Sequence, residues 1–152
     1  VNSDTELLCY AYQRRLDNGD QQVITDARSI WNTPTSLPDS CIAIFQSLIQ
    51  SGRISREDLW ARIRLALEEG QTGIATQANR YLPGAEGLNA AHLNSAAKNP
   101  LRYLDAQKSL IKSRSDREIA LFALLRLLRN DTDQAYSQWL KVRNRLTASD
   151  RS

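Results

Sequence analysis

The sequence has no methionine, a single histidine and two cysteines. This composition excludes most transition-metal centres, because these need several imidazole or thiolate ligands. Glycine and proline are scarce, with 6 and 4 residues, while leucine, alanine and arginine are abundant, which favours helices over strands. Hydrophobic residues make up 41% of the chain, but no apolar run is long enough for a membrane span. A disordered chain and a membrane-spanning chain are therefore both excluded.

Motifs of enzyme chemistry are also missing. His92 has no nucleophile signature nearby, and the segment 70–73 (Gly-Gln-Thr-Gly) lacks the length and the lysine of a phosphate-binding loop. The adjacent carboxylates Glu57 with Asp58 and Glu68 with Glu69 would point about 100° apart on a helix, so neither pair can flank one sugar bond. We therefore predict no catalytic residue, no metal site and no cofactor for this chain.

Apolar residues repeat at helical spacing along almost the whole chain, and turn residues divide them into about nine helices. The predicted helices cover residues 7–16, 23–31, 38–49, 55–70, 72–82, 87–98, 100–112, 115–128 and 131–146. Short connections imply that neighbouring helices are antiparallel. A loose repeat places a turn residue before two small or apolar positions, at Gly19/Val23/Ala27, Gly70/Ile74/Ala78 and Asp131/Ala135/Trp139. It favours an all-α superhelix of stacked hairpins, an α-solenoid, over an irregular bundle.

Charge is distributed unevenly along the chain. Residues 1–52 hold three arginines against six acids, whereas residues 101–152 hold eleven basic residues against six acids. One interpretation is an anionic partner, with Arg126, Arg129, Arg143 and Arg145 as weak candidate binding residues.

The other interpretation is a solvated helical surface with pairs at helical spacing, such as Asp58 with Arg62 and Asp105 with Lys108. A helix-turn-helix over residues 116–146 is disfavoured, because Asp131 and Asp133 would stand where a recognition helix approaches DNA. No nucleic-acid partner is therefore expected.

Cys9 and Cys41 both occupy apolar positions in predicted helices. Two buried free thiols and a disulfide that closes a loop of about 33 residues are both compatible with this placement.

Several landmarks in the first half of the chain resemble the superhelical region of the soluble lytic murein transglycosylases. They are the segment 62–66 (Arg-Ile-Arg-Leu-Ala) followed by 70–73 (Gly-Gln-Thr-Gly), and, in order along the chain, Cys9, Tyr10, Tyr12, Gly19, Trp31 and Cys41. The match covers residues 7–83. The resemblance implies a disulfide between Cys9 and Cys41 and a location in the periplasm.

The resemblance also implies that residues 1–152 form one helical segment of a larger protein. In this family a separate lysozyme-like domain cleaves peptidoglycan glycan strands without water and leaves 1,6-anhydro ends. The family's catalytic Glu-Ser motif does not occur here. The expected partners are thus peptidoglycan and the missing catalytic domain, and we expect a monomer that is a non-catalytic scaffold. The start of the chain lacks a targeting segment, which suggests a processed protein or a fragment. The alternative function is a tetratricopeptide-like adaptor for a peptide or protein.

Overall fold

The computed structural model describes residues 2–107 and 110–147. Within these ranges the chain forms nine α-helices and no β-strand, which confirms the predicted all-α fold. The helices are α1 (Asn2–Asp17), α2 (Gln22–Trp31), α3 (Asp39–Gln50), α4 (Arg56–Glu68), α5 (Thr72–Asn79), α6 (Ala90–Lys98), α7 (Pro100–Gln107), α8 (Arg114–Asn130) and α9 (Thr132–Thr147).

Glycines end helices α1, α3 and α4. Gly19, Gly52 and Gly70 have φ values of 85°, 78° and 73°, a left-handed conformation that costs glycine little. At the end of α4, the N–H of Gly70 donates to the Leu67 carbonyl at 3.0 Å, and the N–H of Gln71 donates to the Ala66 carbonyl at 2.8 Å. These bonds satisfy carbonyl groups that the helix itself leaves without a partner.

Helices α4 and α8 begin with the same capping box. The hydroxyls of Ser55 and Ser113 accept hydrogen bonds from the N–H groups of Asp58 and Asp116, whose carboxylates accept the serine N–H groups in return. The start at Ser55 agrees with the sequence prediction. Helix α8 begins slightly earlier than predicted, because Ser113 rather than Ser115 is its cap.

Helices that are near in the sequence form the main packing pairs. Helix α1 packs on α2 and α3, α4 on α5, α6 on α7, and α8 on α9. Helix α8 also contacts α4 and α6, so it joins the first five helices to the last four. Small buried residues such as Ala27, Ala75 and Ala123 allow these helices to approach closely. This arrangement is the superhelix of hairpins that the repeat predicted.

The three copies of the repeat differ in structure. In the first two copies a left-handed glycine is followed by small residues that are buried, Ala27 and Ala78. In the third copy Asp131 has an extended backbone, and Trp139 keeps 41% of its surface exposed. The first two copies are therefore equivalent turns, whereas the third copy only resembles them in sequence.

Some local predictions were wrong. Leu7 and Leu8 belong to the apolar repeat that predicts the first helix at residues 7–16, and such a repeat normally faces the core, but 66% and 41% of their surfaces are exposed. Helix α5 ends at Asn79 rather than near residue 82, because the chain turns ahead of Pro83. Helix α7 ends at Gln107, and residues 108–109 lie outside the described ranges. None of the described helices combines the length and the apolar character that a bilayer crossing requires.

Candidate functional site

A buried arginine on α4 organises the connection between α2 and α3. Only 2% of the surface of Arg62 is exposed. Its Nη1 donates to the carbonyl oxygens of Trp31 and Thr33 at 2.7 and 2.9 Å, and its Nη2 donates to the carbonyl oxygen of Thr35 at 3.0 Å. The guanidinium also lies over the indole ring of Trp31, 4.9 Å from its centroid. Arg62 thus fixes three successive points of the loop that follows α2.

The cation at this position is suited to its acceptors. Carbonyl groups at the end of a helix carry partial negative charge, and Trp31 is the last residue of α2. Burial lowers the pKa of Arg62 to about 10, so the guanidinium stays protonated at neutral pH. A lysine would replace it poorly, because its single nitrogen cannot face both sets of acceptors as the two terminal nitrogens of the planar guanidinium do.

The predicted surface pair between Asp58 and Arg62 does not form. Asp58 instead caps α4 and accepts a hydrogen bond from Arg28 at 3.2 Å. Arg62 faces the loop after α2 rather than solvent. Spacing along one helix could not show this, because the competing acceptors lie about 30 residues away in the sequence.

An open pocket of about 620 Å³ lies between this loop and α5. We call it the loop groove. Its lining residues are Pro34, Thr35 and Ser36 on the loop, and Gln71, Gly73, Ile74, Gln77 and Arg80 in and beside α5. None of these lining residues is acidic. The Arg80 side chain has no ion-pair partner among the described residues.

Two of the segments that carry the resemblance, 62–66 and 70–73, contribute to the loop groove. Arg62, from the first segment, holds the loop that forms one wall, while Gln71 and Gly73, from the second, line the other wall. Residue composition did not single out Gln77 or Arg80. Two features of the sequence could have indicated the groove: the polar loop 33–36, and Gly73 within a predicted helix. Only the fold shows that these two segments face each other.

On its other side, α4 contacts α8 through charged groups. Arg64 binds both carboxylate oxygens of Glu118, with Nε 3.0 Å from one of them. Only 3% of the Glu118 side chain is exposed. Arg114 lies over the ring of Trp60 at 5.0 Å and pairs with Glu57 at 2.9 Å. We call these contacts the ionic joint.

The four arginines that were predicted as candidate binding residues have different surroundings in the structure. Arg126 lies over the Phe122 ring at 5.7 Å, and Arg143 lies over the Trp139 ring at 5.5 Å. Arg129 donates to the Glu68 carbonyl at 2.9 Å, so it links α8 to the end of α4. Arg145 is exposed on α9. Binding of an anionic partner by these residues stays a prediction.

The structure joins Cys9 and Cys41 in a disulfide, as the resemblance implied, with Cα atoms 5.1 Å apart. Both residues are fully buried, and the bridge connects α1 to α3. Across residues 2–107 and 110–147, no group of three or more His, Cys, Asp or Glu side chains is placed to hold a metal ion.

A second surface feature lies at the other end of the chain. An apolar pocket of about 350 Å³ is formed between α8 and α9. We call it the α8–α9 pocket. Its lining includes Leu128, Tyr136 and Trp139, whose surfaces are 47%, 60% and 41% exposed.

Comparison with known proteins relates the chain to one class of enzymes. No protein-family model matches the chain. Over 132 residues it is 27% identical to the soluble lytic murein transglycosylase of Escherichia coli (strain K12) and 26% identical to that of Salmonella typhimurium. These matches cover 86% of this chain but 20% of each relative. The chain therefore spans about a fifth of the length of these curated relatives.

Solved structures agree with the sequence comparison. An inactive mutant of the lytic transglycosylase Slt from Pseudomonas aeruginosa matches 89% of this chain and 22% of its own, with a TM-score of 0.71 and 26% identity. The 70 kDa soluble lytic transglycosylase of Escherichia coli matches 94% of this chain and 23% of its own, with a TM-score of 0.67. At 24% identity, the latter match concerns the fold alone. Sequence and fold thus agree over most of its length: the chain is homologous to a helical region of the soluble lytic murein transglycosylases.

Proposed function

We propose that this chain is a non-catalytic superhelical scaffold segment of a periplasmic soluble lytic transglycosylase that acts on the glycan strands of peptidoglycan. The observation that carries the proposal is the partial overlap. The likeness extends over 86–94% of this chain but only 20–23% of the relatives. In this proposal the lysozyme-like catalytic domain belongs to another part of the parent protein, and the helical segment shapes access to it.

The environment of the buried carboxylate supports a structural role. A general acid for sugar-bond cleavage must carry a proton and face the substrate. Glu118 instead accepts charge-assisted hydrogen bonds from Arg64 within the ionic joint. These charge-assisted hydrogen bonds hold α4 against α8.

The disulfide supports the proposed location. Disulfides persist in oxidising compartments, among them the bacterial periplasm, and are rare in the cytosol. The bridge between Cys9 and Cys41 therefore fits a periplasmic protein better than a cytosolic adaptor.

Incubation of the chain with purified peptidoglycan sacculi tests the proposal. We expect the chain to sediment with the sacculi and to release no 1,6-anhydro-muropeptides, as measured by chromatography of the supernatant. Release of anhydro products by this chain alone would contradict the non-catalytic role. A chain that stays in the supernatant would contradict direct contact with peptidoglycan.

The basic residues provide a finer test of the same contact. Arg143 and Arg145 are exposed on α9, and within residues 2–107 and 110–147 neither side chain donates to a backbone carbonyl. We expect replacement of both by Ala to reduce the sedimented fraction, because peptidoglycan stem peptides are anionic. Replacement of Arg14 and Arg102 by Ala removes the same charge from exposed positions outside α9 and serves as the control. If both variants sediment with the sacculi to the same extent, Arg143 and Arg145 do not contribute to peptidoglycan binding.

A tetratricopeptide-like adaptor is the second candidate function. The α8–α9 pocket favours it, because its exposed aliphatic and aromatic lining is the kind of surface that an amphipathic helix of a partner contacts. The sedimentation experiment separates the two functions, since an adaptor of this type has no reason to bind sacculi.

A further inference from the structure

We propose that the loop groove is a binding subsite for a saccharide unit that carries a carboxylate. The identity of this unit as a muramyl sugar of peptidoglycan depends on the proposed function above. The subsite itself is argued from three features of the groove: a wall that is fixed before any ligand arrives, a glycine that the fold does not require, and a lining that matches the ligand.

The loop wall is held rigidly. Three hydrogen bonds from the buried Arg62 fix the carbonyls of Trp31, Thr33 and Thr35. The Thr33 hydroxyl adds a hydrogen bond to the Ile30 carbonyl at 2.6 Å. A preorganised wall lowers the entropy that binding would otherwise cost. The outward side chains of Thr35 and Ser36 are thereby positioned at the groove.

The glycine on the opposite wall has no role in the fold. Gly73 lies in the first turn of α5, where its φ is not in the left-handed region, and a Cβ added to it would meet no atom within 4 Å. Packing and backbone geometry would therefore both accept an alanine at this position, which is a better helix former than glycine. The absence of a side chain does keep the groove open, because Gly73 is one of its lining residues.

The lining has the chemistry of a receptor for an acidic sugar. Gln71 and Gln77 offer amide donors and acceptors, and Ser36 offers a hydroxyl, which match the hydroxyl and acetamido groups of an amino sugar. The Thr35 hydroxyl lies 3.3 Å from that of Thr33 and can still accept a hydrogen bond. Arg80 supplies an unpaired guanidinium, which binds a carboxylate through two parallel hydrogen bonds. Pro34 and Ile74 give apolar contact, and a volume of about 620 Å³ lies within the usual range of small-ligand sites.

A peptide ligand fits the loop groove less well. Peptides are recognised along sheet edges, in apolar grooves that accept helices, or on aromatic surfaces that accept polyproline segments. The loop groove has no aromatic lining residue and only two aliphatic ones. Its polar groups are spread over both walls, as a ligand with hydroxyl groups around a ring requires.

Titration of the ¹⁵N-labelled chain, followed by NMR, tests the subsite. Three probes are used: the disaccharide of N-acetylglucosamine and N-acetylmuramic acid, di-N-acetylchitobiose, and a stem peptide without sugar. Chitobiose has the same kind of ring without the carboxylate. We expect the acidic disaccharide to shift amide signals of residues 34–36 and 71–80, and to bind at least tenfold more tightly than either other probe.

Variants of the groove complete the experiment. Arg80→Gln is expected to bring the affinity for the acidic disaccharide down to that for chitobiose. Gly73→Leu is expected to abolish the shifts while the helical circular dichroism is preserved. Arg14→Gln, exposed on α1 and outside the groove, is the charge-matched control and should bind as the parent chain does. Equal binding of the acidic disaccharide by Arg80→Gln and the parent, or tighter binding of the stem peptide, would overturn the proposal.

Failure of the subsite and failure of the proposed function give different results. If the chain sediments with sacculi but the acidic disaccharide shifts no signal at the groove, the scaffold role stands and the subsite is wrong. If the chain does not sediment but the disaccharide binds at the groove as described, the subsite stands and direct contact with intact peptidoglycan is wrong.

Discussion

Helix α4 contacts the helices before it and the helices after it through two different kinds of arginine interaction. Towards α1–α3 it uses Arg62, a fully buried cation whose acceptors are neutral backbone carbonyls. Towards α6–α9 it uses Arg64, whose partner Glu118 carries the opposite charge and is itself buried. In the first contact the buried charge is the arginine, which carbonyl groups compensate; in the second it is Glu118, which a half-exposed arginine compensates.

The difference decides how each contact responds to change. A cation bound to carbonyls contributes hydrogen bonds and packing, so salt in the solvent affects it little. A pair of opposite charges near the surface is screened by salt. The first contact fixes a loop in one conformation, whereas the second joins two helices that each fold locally.

The largest loss of stability is expected where Arg62 binds the backbone carbonyls, which we call the neutral contact. Arg62→Met keeps much of the side-chain volume but removes all three hydrogen bonds to the loop. Because buried carbonyls lose their donors, we expect the free energy of unfolding to fall by about 3–5 kcal/mol in urea titrations. Arg62→Lys, which retains the charge, should recover only part of this loss. A fall below about 1 kcal/mol for Arg62→Met would show that the loop does not depend on the arginine.

A loss of stability of similar size is expected when the disulfide that connects α1 to α3 is removed. The bridge joins residues that are 32 positions apart. Restriction of the unfolded chain by a loop of this length corresponds to about 3–4 kcal/mol. Replacement of both Cys9 and Cys41 by Ala should lower stability by this amount, and a reducing agent should destabilise the parent chain but not the variant. An unchanged melting temperature after verified reduction would contradict the prediction.

The ionic joint should give a smaller, salt-dependent effect. Arg64→Met leaves the buried Glu118 with Arg114, whose Nε lies 3.9 Å away. We expect a loss of about 2 kcal/mol, between the values typical of exposed and of buried pairs, since nearly half of the Arg64 side chain is exposed.

A double-mutant cycle with Glu118→Gln measures the coupling energy of this pair. The coupling should decrease as NaCl rises from about 0.05 to about 0.5 M. The loss caused by Arg62→Met should not change over the same range. An equal salt dependence at both sites would mean that the two contacts are not different in kind.

These contacts also separate what the sequence could predict from what it could not. Helix ends were predictable, because the left-handed Gly19 and Gly70 and the capping serine Ser55 act within a few residues. The burial of Arg62 was not predictable, since its acceptors come from a loop about 30 residues away and the nearby Asp58 has the spacing of a surface pair. The loop groove was missed for the same reason: each wall is polar and ordinary by itself, and only the packing of α5 near the loop brings the walls together.

Tyr103 on α7 gives the stability of the chain a pH dependence of its own. Burial, together with the charge of Asp116, raises the pKa of Tyr103 on α7 to about 12, compared with a usual value of about 10. Above pH 10 the lowered pKa of Arg62 raises stability with pH. The unfolded chain also loses the phenol proton of Tyr103 before the folded chain does, so the contribution of Tyr103 to stability falls as the pH rises towards 12. At pH 11 this loss is about 1.4 kcal/mol. Tyr103→Phe should remove it, and the difference in tyrosinate absorbance between the two proteins should rise near pH 12.

The smallest loss of stability is expected from the capping box that α4 and α8 share. Ser55→Ala and Ser113→Ala each remove the serine half of the same capping box, at the start of α4 and of α8 respectively. Each should cost about 1 kcal/mol in thermal unfolding followed by circular dichroism. Because the hydrogen bonds are local, the two losses should be similar and should add in the double variant. A much larger loss at Ser55 would mean that the start of α4 also positions Arg62 and Arg64, so that the cap, the neutral contact and the ionic joint act as one cooperative unit.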